Sequence, residues 1–404
     1  MDAEIGRRYL ALALRLDRRA PGFLEAYAGP AELREAIAGE TEPPFAELHD
    51  EALRIREDVA TTPVIGASDE QRRAWLTAQA AALGTVARVL AGDEIALPER
   101  VESLTGLEAS RAAEPDLAAI HRQLDAALPP GPGLRARMSQ HRAATGIPPE
   151  QVPTAVERLL AVLRDRARHD LALPMDESVL LEPVHDASTW RASGAFGEVS
   201  RTRLRINLSA SWGLDELVRA VAGEAYPGRH AAHVARAASV RDGRDDELLA
   251  WVRPSPEATV MAGVAAVGRE VLLGDFELAA ELRRIGRELG LRWETERELE
   301  VARARERLSA AVANAALLLH HDGLPPSEVR AYLAETALLE ADAVERLLTR
   351  FADPLGRVEP FARAAGPPLV RDWLAVVGQT TGLRRLLTEG IAPAQLRMES
   401  GVPA

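Results

Sequence analysis

The sequence contains no cysteine, which excludes disulfide bonds, thiolate metal sites and a cysteine nucleophile. Aromatic residues make up only 4% of the 404 residues, and 49 Lys and Arg are outnumbered by 61 Asp and Glu. The resulting net charge of −12 argues against a general nucleic-acid binder, which needs a basic face to displace counterions from phosphates. We therefore expect no nucleic acid among the partners.

Long apolar runs and signal-like segments are also missing. Since no stretch of about 18 residues is both apolar and uncharged, neither a membrane span nor a membrane partner is predicted. The first residues, MDAEIGRRYL, lack the basic-then-apolar pattern of a signal peptide, so a cytoplasmic location is expected. The chain also has no glycine-rich phosphate loop and no GxSxG elbow, which excludes the common nucleotide-binding and serine-hydrolase motifs.

Helix-forming residues are abundant, because Ala, Leu, Arg and Glu dominate the composition. Apolar residues at three- and four-residue spacing predict a mainly α-helical chain. The length fits one large domain or two average ones. We interpret residues 1–404 as a single helical domain, with the Pro/Gly run at 129–133 as a possible subdomain boundary. The predicted helices of the second half include 214–225, one from about 229, 256–273, 275–289 and a long helix at 293–320.

A change of pattern at about 177–209 predicts a small β element. Residues 202–208 alternate between polar and apolar with period two, and Gly194 and Gly197 precede them. Two or three short strands are therefore predicted. We expect these strands to lie beside the helix that ends near Glu224 and to form one wall of a cleft.

The most informative segment is 221–233, which reads VAGEAYPGRHAAH. A helix is predicted to run into this segment, Pro227 and Gly228 interrupt it, and a second helix is predicted to leave it. Such a turn presents side chains and free helix-end amides to a cavity. The segment is therefore a candidate binding site.

This segment resembles the hallmark of the DUF885-type bacterial proteins, which are helical and related to zinc-dependent peptidases. Their hallmark reads His-Glu-Ala-Tyr-Pro-Gly-His-His. The chain keeps the central residues 224–228, but Gly223 stands where the first His would be. Arg229 replaces the first of the paired histidines, and His230 is retained as the second. The resemblance implies a large helical, zinc-peptidase-like fold with a cleft at this turn.

A second block supports the resemblance. The family pattern is similar to Pro-Glu-x-x-x-Ser-Glu-Gly-x-Ala, and the chain reads PEATVMAGVA at 256–265, with Ala262 where the ligand Glu would be. Weaker similarities lie at 21–30 and 314–320, and all four blocks come in the expected order. The resemblance therefore covers most of the chain, while its departures lie at the implied metal ligands.

The departures bear directly on zinc chemistry. A catalytic zinc needs three protein ligands and an open position for water, and a neighbouring Glu takes the proton of that water. Gly223 and Ala262 offer no ligand atom, and Arg229 brings a permanent positive charge that repels a dication. Glu224 would be a remnant general base. We expect no cofactor, and we assign Gly223, Tyr226, Arg229 and Ala262 to an inherited binding cleft.

The surviving polar residues also have simpler interpretations. Glu224 can pair with Arg229 or cap the following helix. His230 and His233 lie three residues apart on one helical face, so with Glu224 they could form a relocated zinc site. Two histidines at that spacing without a third ligand are more often ordinary core or surface residues.

Three functions are compatible with the sequence. The leading hypothesis is a non-catalytic, degenerate relative of a zinc metallopeptidase, a pseudoenzyme whose inherited cleft binds a peptide or a small molecule. The alternative is an active metal-dependent hydrolase with a rearranged zinc site of Glu224, His230 and His233, joined by a carboxylate such as Glu257 or Glu270. The third is a scaffold or assembly partner. No particular oligomeric state is predicted.

Overall fold

The computed structural model describes residues 3–186, 190–198, 200–240, 245–291 and 293–401. The chain is mainly α-helical, as predicted, and it has two small β-sheets. The first half contains α1 (Ala3–Arg19), β1 (Leu24–Tyr27), α2 (Ala31–Gly39), α3 (Phe45–Thr61), α4 (Ala67–Ala91), α5 (Leu97–Thr105), α6 (Glu114–Ala127), α7 (Leu134–Thr145), α8 (Val152–Leu171) and β2 (Ser178–Val184).

The second half begins with the remaining strands of the larger sheet and continues with helices. Its elements are β3 (Ala192–Glu198), β4 (Arg201–Asn207), α9 (Leu214–Glu224), α10 (Arg229–Ser239), β5 (Ala250–Val252), α11 (Pro256–Glu288), α12 (Thr295–Arg307), α13 (Ser309–His320), α14 (Pro326–Glu335), α15 (Ala341–Ala352), α16 (Glu359–Val377), α17 (Gln379–Thr388) and α18 (Pro393–Ser400).

The predicted β element is confirmed. Its strands are arranged in the order β2-β4-β3, with β2 parallel and β3 antiparallel to the central β4. Alternate residues Thr202, Leu204 and Ile206 of β4 are buried, which explains the period-two pattern. Within the predicted range, residues 187–189 and 199 lie outside the described part of the chain.

The smaller sheet is not predicted from the sequence. In it β1 pairs antiparallel with β5, and Leu24 lies opposite Val252. Sequence periodicity does not detect these strands because they have only four and three residues, and because their partners are far apart in the chain. The segment at 21–30 therefore contains a strand, which carries Glu25.

Two of the predicted helix boundaries can be compared with the structure. Gly274 has φ 65° and breaks α11 internally, which confirms the predicted junction between 256–273 and 275–289. The single long helix predicted at 293–320 is wrong, because α12 ends at Arg307 and α13 begins at Ser309. Leu308 is buried at this junction, so the apolar pattern continues across a break in the backbone helix.

The Pro/Gly run at 129–133 lies between α6 and α7. The guanidinium of Arg137 in α7 donates to the carbonyl oxygens of Asp125 and Pro129, at 3.2 and 3.4 Å. These bonds tie α7 back to the end of α6. The run is thus the connection within a packed helix pair.

Helix α4 is long and apolar enough to cross a membrane by length and composition, and it is the one such helix in the described ranges. Of its most apolar window, 56% is buried inside the protein. Trp75, Leu76 and Leu83 of this helix are among the buried core residues. Its apolar character is therefore explained by core packing against neighbouring helices.

Helices α9 and α16 both pack on α11 and so form the frame of the candidate site. A Cβ atom on Gly263 of α11 would lie 2.4 Å from the carbonyl oxygen of Gly366 in α16. Because no side chain fits there, the two backbones are in direct contact. On the other side, Gly223 of α9 lies against Ala265 of α11.

Candidate functional site

The turn between α9 and α10 contains the residues that carry the family resemblance. Ala225 and Tyr226 are fully buried, and the Tyr226–Pro227 peptide bond is cis. A Cβ atom on Gly228 would lie 2.1 Å from the carbonyl oxygen of Gly223, so only glycine fits. Backbone packing therefore accounts for this part of the motif without any catalytic role.

Arg229 joins two glutamates from different elements. Its guanidinium binds both carboxylate oxygens of Glu224, and its Nη1 lies 2.5 Å from Oε2 of Glu25 in β1. Burial alone would lower the pKa of Arg229, but the charges and hydrogen bonds of the two glutamates outweigh burial and raise it. The predicted pair of Glu224 with Arg229 is therefore present.

Glu224 is held from the β-sheet side as well. The backbone N–H of Gly194 in β3 donates to Oε2 of Glu224 at 2.8 Å. The Glu224 side chain is only 15% exposed. The strand thus lies beside the end of α9 as predicted, and the carboxylate is bound on both sides.

The ionic contacts continue beyond Arg229. Arg253, just after β5, lies 2.6 Å from Glu25 and 3.6 Å from Glu359, the first residue of α16. Arg350 of α15 lies 2.8 Å from the same Glu359. We name this row of alternating charges, from Glu224 through Arg229, Glu25 and Arg253 to Glu359, the charged cleft. Sequence reasoning identified only its first two members as site residues, because the others come from distant segments.

His230 is fully buried and both of its ring nitrogens are engaged. Nδ1 lies 2.8 Å from the hydroxyl of Thr202 in β4, and Nε2 lies 2.9 Å from Oε2 of Glu177. These partners fix the ring in the core between the sheet and the helices. His230 therefore has a structural role that the sequence did not reveal.

Glu177 collects four donors at the start of β2. Arg164 and Arg168, one turn apart on α8, contact it at 3.0 and 2.6 Å, and the hydroxyl of Tyr226 donates to it. Burial alone would raise the pKa of Glu177, but hydrogen bonds from His230, Tyr226 and the two arginines lower it to about 2. The ring of Tyr226 is fully buried and its hydroxyl donates to Glu177. The prediction that Tyr226 lines the cleft is therefore wrong.

His233 is buried and packs against Phe196 of β3, with 5.3 Å between the ring centroids. Burial, together with the neighbouring His230 and Arg236, lowers its pKa to about 4. The imidazole is therefore neutral at pH 7.

The residues proposed for a rearranged zinc site are committed to separate partners. Glu257 forms a buried pair with Arg236 at 2.5 Å, and Glu270 lies 3.7 Å from both Arg269 and Arg371. Within the described ranges, no group of three or more His, Asp or Glu side chains is arranged to hold a metal ion. The structure does not bring Glu224, His230 and His233 together as a ligand set.

The two positions where the resemblance implies metal ligands are occupied by small residues. Gly223 and Ala262 are both half-buried, and a Cβ atom on Gly223 would meet only the Ala265 Cβ, at 3.4 Å. With glycine, alanine and an ion-paired arginine in place of ligands, the donor set does not fit zinc. The space beside α11 is nevertheless open, since its alanines remain partly exposed.

A separate cavity of about 280 Å³ lies at the opposite end of α9, away from the 221–233 segment. Its wall includes Trp212, Asp215, Glu216 and Arg305. Arg305 lies 3.1 Å from Asp215 and 2.9 Å from Glu216. The lining carries five carboxylates and two arginines, so this cavity is acidic. It contains no residue of the 221–233 segment, and we place the candidate site at the charged cleft.

The acid stability of the protein should depend on Glu177. Its carboxylate pKa falls from 4.5 to about 2 in the fold, so it should contribute about 3 kcal/mol above pH 4.5 and lose this as pH falls toward 2. We expect Glu177→Gln to lower the free energy of unfolding at pH 7 by about that amount. Urea unfolding at pH 7 and pH 3 should show a smaller pH dependence in the variant. If the free energy of unfolding of the variant falls between pH 7 and pH 3 by as much as that of the wild type, this assignment is contradicted.

Comparisons with known proteins identify the fold and leave the function open. No family model matches the chain, and no curated protein matches it in sequence. Two of the solved structures with a similar fold are putative lipoproteins. The one from Shewanella oneidensis, of unknown function, has a TM-score of 0.52 and 11% identity, covering 91% of this chain and 75% of its own. The one from Colwellia psychrerythraea has a TM-score of 0.51 and 13% identity, covering 91% and 68%.

Proposed function

We propose that the chain is a non-catalytic relative of zinc-dependent peptidases that binds a peptide or small molecule in the charged cleft. The observation that carries the proposal is the position of Arg229. Its guanidinium binds both oxygens of Glu224, the residue that would act as general base. A permanent cation thus stands at the first of the paired histidine positions of the family pattern.

The surroundings of Glu224 support a binding role over proton transfer. A general base must be free to accept a proton from a bound water. Here the carboxylate accepts hydrogen bonds from Arg229 and from the Gly194 amide, so its oxygens are already engaged. His230, which is retained from the paired histidines of the family pattern, is hydrogen-bonded to Thr202 and Glu177. These contacts leave neither side chain free for metal-assisted proton transfer.

Metal content and hydrolysis test the proposal directly. We expect protein purified without chelator and re-equilibrated with zinc to hold far less than one zinc per chain and to show no thermal shift on zinc addition. We expect no zinc-dependent cleavage of a mixed peptide library, and no difference between the wild type and Glu224→Ala. Stoichiometric zinc that is lost in His230→Ala or His233→Ala, or cleavage that is lost in Glu224→Ala, would establish the hydrolase alternative.

The location of the protein is a separate question with its own test. The two fold neighbours carry the word lipoprotein in their names, whereas we propose a cytoplasmic location for this chain. Fractionation of cells expressing the full chain distinguishes a membrane-attached protein from a cytoplasmic one.

A further inference from the structure

Arg363 of α16 is an arginine without a partner beside the charged cleft. It lies one helical turn after Glu359, on the same side of the helix. Its side chain is exposed, and in the described part of the chain no carboxylate lies within ion-pair distance of it. Most arginines at this site are paired, so its free guanidinium is unusual there.

The electrostatic environment of Arg363 is positive. Loss of solvation and the charges of Arg253, Arg350 and Arg219 lower the pKa of Arg363, and the charge of Glu359 opposes them. The exposed guanidinium therefore lies among other cations from α9, from α15 and from the segment after β5. An anion bound beside Arg363 would relieve the repulsion among these arginines.

The charges of the described residues at the cleft also leave one cation without a counter-charge. The glutamates of the cleft, Glu25, Glu224 and Glu359, are contacted by Arg229, Arg253 and Arg350. Arg363 is therefore left as an excess positive charge. The protein as a whole has a net charge of −12, but this cation at the cleft is not compensated. Its positive potential attracts negative groups to the cleft.

The surface near Arg363 is formed by small residues. On α11, Ala262, Ala265 and Ala266 are only half-buried although they lie mid-helix. Gly366, one turn after Arg363, lies against Ala262, while Gly223 of α9 lies against Ala265. Small residues on three helices thus leave an open surface next to the free guanidinium.

We propose that Arg363 anchors the carboxylate of the ligand that binds in the charged cleft, so that the cleft selects peptides or small molecules with a free carboxyl end. This inference rests on the proposed binding function and specifies its ligand class. The planar guanidinium can donate two parallel hydrogen bonds to one carboxylate. The chain contains no lysine, so every side-chain cation at the cleft has this forked geometry.

The size of the excess charge favours a carboxylate over a phosphate. One unpaired guanidinium matches one negative charge, and Glu359 one turn away would repel a second. The remainder of the ligand would extend over the alanine surface of α11, which suits short side chains. A short alanine peptide is therefore a suitable probe.

The test compares N-acetyl-Ala-Ala-Ala with its C-terminal amide by isothermal titration calorimetry on the full chain. We expect the acid to bind about tenfold or more tightly than the amide, since a hydrogen bond to a charged group accounts for that ratio. Arg363→Gln should abolish the preference. The matched control is Arg122→Gln, another exposed arginine without an ion pair among the described residues, which should leave the preference intact. Thermal unfolding of both variants should match the wild type.

Each outcome bears on one proposal. Equal binding of acid and amide, binding of neither, or a preference that survives Arg363→Gln overturns the carboxylate inference. Inorganic phosphate that binds more tightly than the peptide acid also overturns it. Zinc-dependent cleavage of the peptide would instead overturn the proposed non-catalytic function, while a carboxylate preference in the same experiment would still support the role of Arg363.

Discussion

Replacing Glu257 with alanine is expected to lower the free energy of unfolding by about 3–5 kcal/mol. Glu257 and Arg236 form an ion pair at 2.5 Å, and each side chain is only 2% exposed. Removing the carboxylate leaves the guanidinium of Arg236 in the interior without a counter-charge, beside the ring of Trp251. The measurement is urea unfolding followed by circular dichroism at pH 7.

Two control variants show whether the loss of stability comes from the burial of the ion pair or from the loss of any ion pair. Glu345→Ala removes an exposed partner of Arg330 and should leave the free energy of unfolding nearly unchanged. The double variant Arg236→Met with Glu257→Leu removes both buried charges and should recover most of the lost stability. A loss of under 1 kcal/mol in Glu257→Ala would contradict a buried charge pair at this position.

Restoring the three missing family residues is expected to create a zinc site. In the combined variant Gly223→His, Arg229→His and Ala262→Glu, the ligand positions implied by the resemblance carry donors again, and Glu224 loses its ion-pair partner. Position 223 can take a side chain, because a Cβ there makes only ordinary contact with Ala265. We expect about one zinc per chain with micromolar or tighter affinity, which corresponds to about 8 kcal/mol or more of binding free energy.

The matched control replaces Gly223 by Leu while keeping the other two substitutions, so that bulk is added without a ligand atom. It should bind zinc at least tenfold more weakly, as measured by competition with a chromogenic chelator. A combined variant that remains helical and unfolds cooperatively but gains no zinc would show that residues 223, 229 and 262 are not related to metal ligands.

Local pattern was sufficient for much of the fold. Helix periodicity identified most helices, the alternation at 202–208 identified β4, and Gly274 marked a true break. These features depend on residues close together in sequence. The turn at Gly228 was also visible, because its steric requirement lies between neighbouring residues.

The candidate site was only partly predictable. The pairing of Glu224 with Arg229 was expected, since five residues separate the two. The partners Glu25 and Glu359, and the carboxylate Glu177 that binds His230, come from segments with no shared local pattern. Such contacts depend on how helices pack in three dimensions, and one sequence without aligned relatives contains no direct signal for them.

The pairing of β1 with β5 has a consequence for how the protein is made. Glu25 reaches Arg229 across 204 positions of sequence, and Glu359 lies further still along the chain. Contacts of such long range close large loops and form slowly. During synthesis the amino-terminal strand must wait unpaired until its partner leaves the ribosome, exposing a sheet edge to other chains. The cleft is thus completed only after most of the polypeptide has been synthesised, and nascent chains that end before α16 should be the species most in need of chaperones.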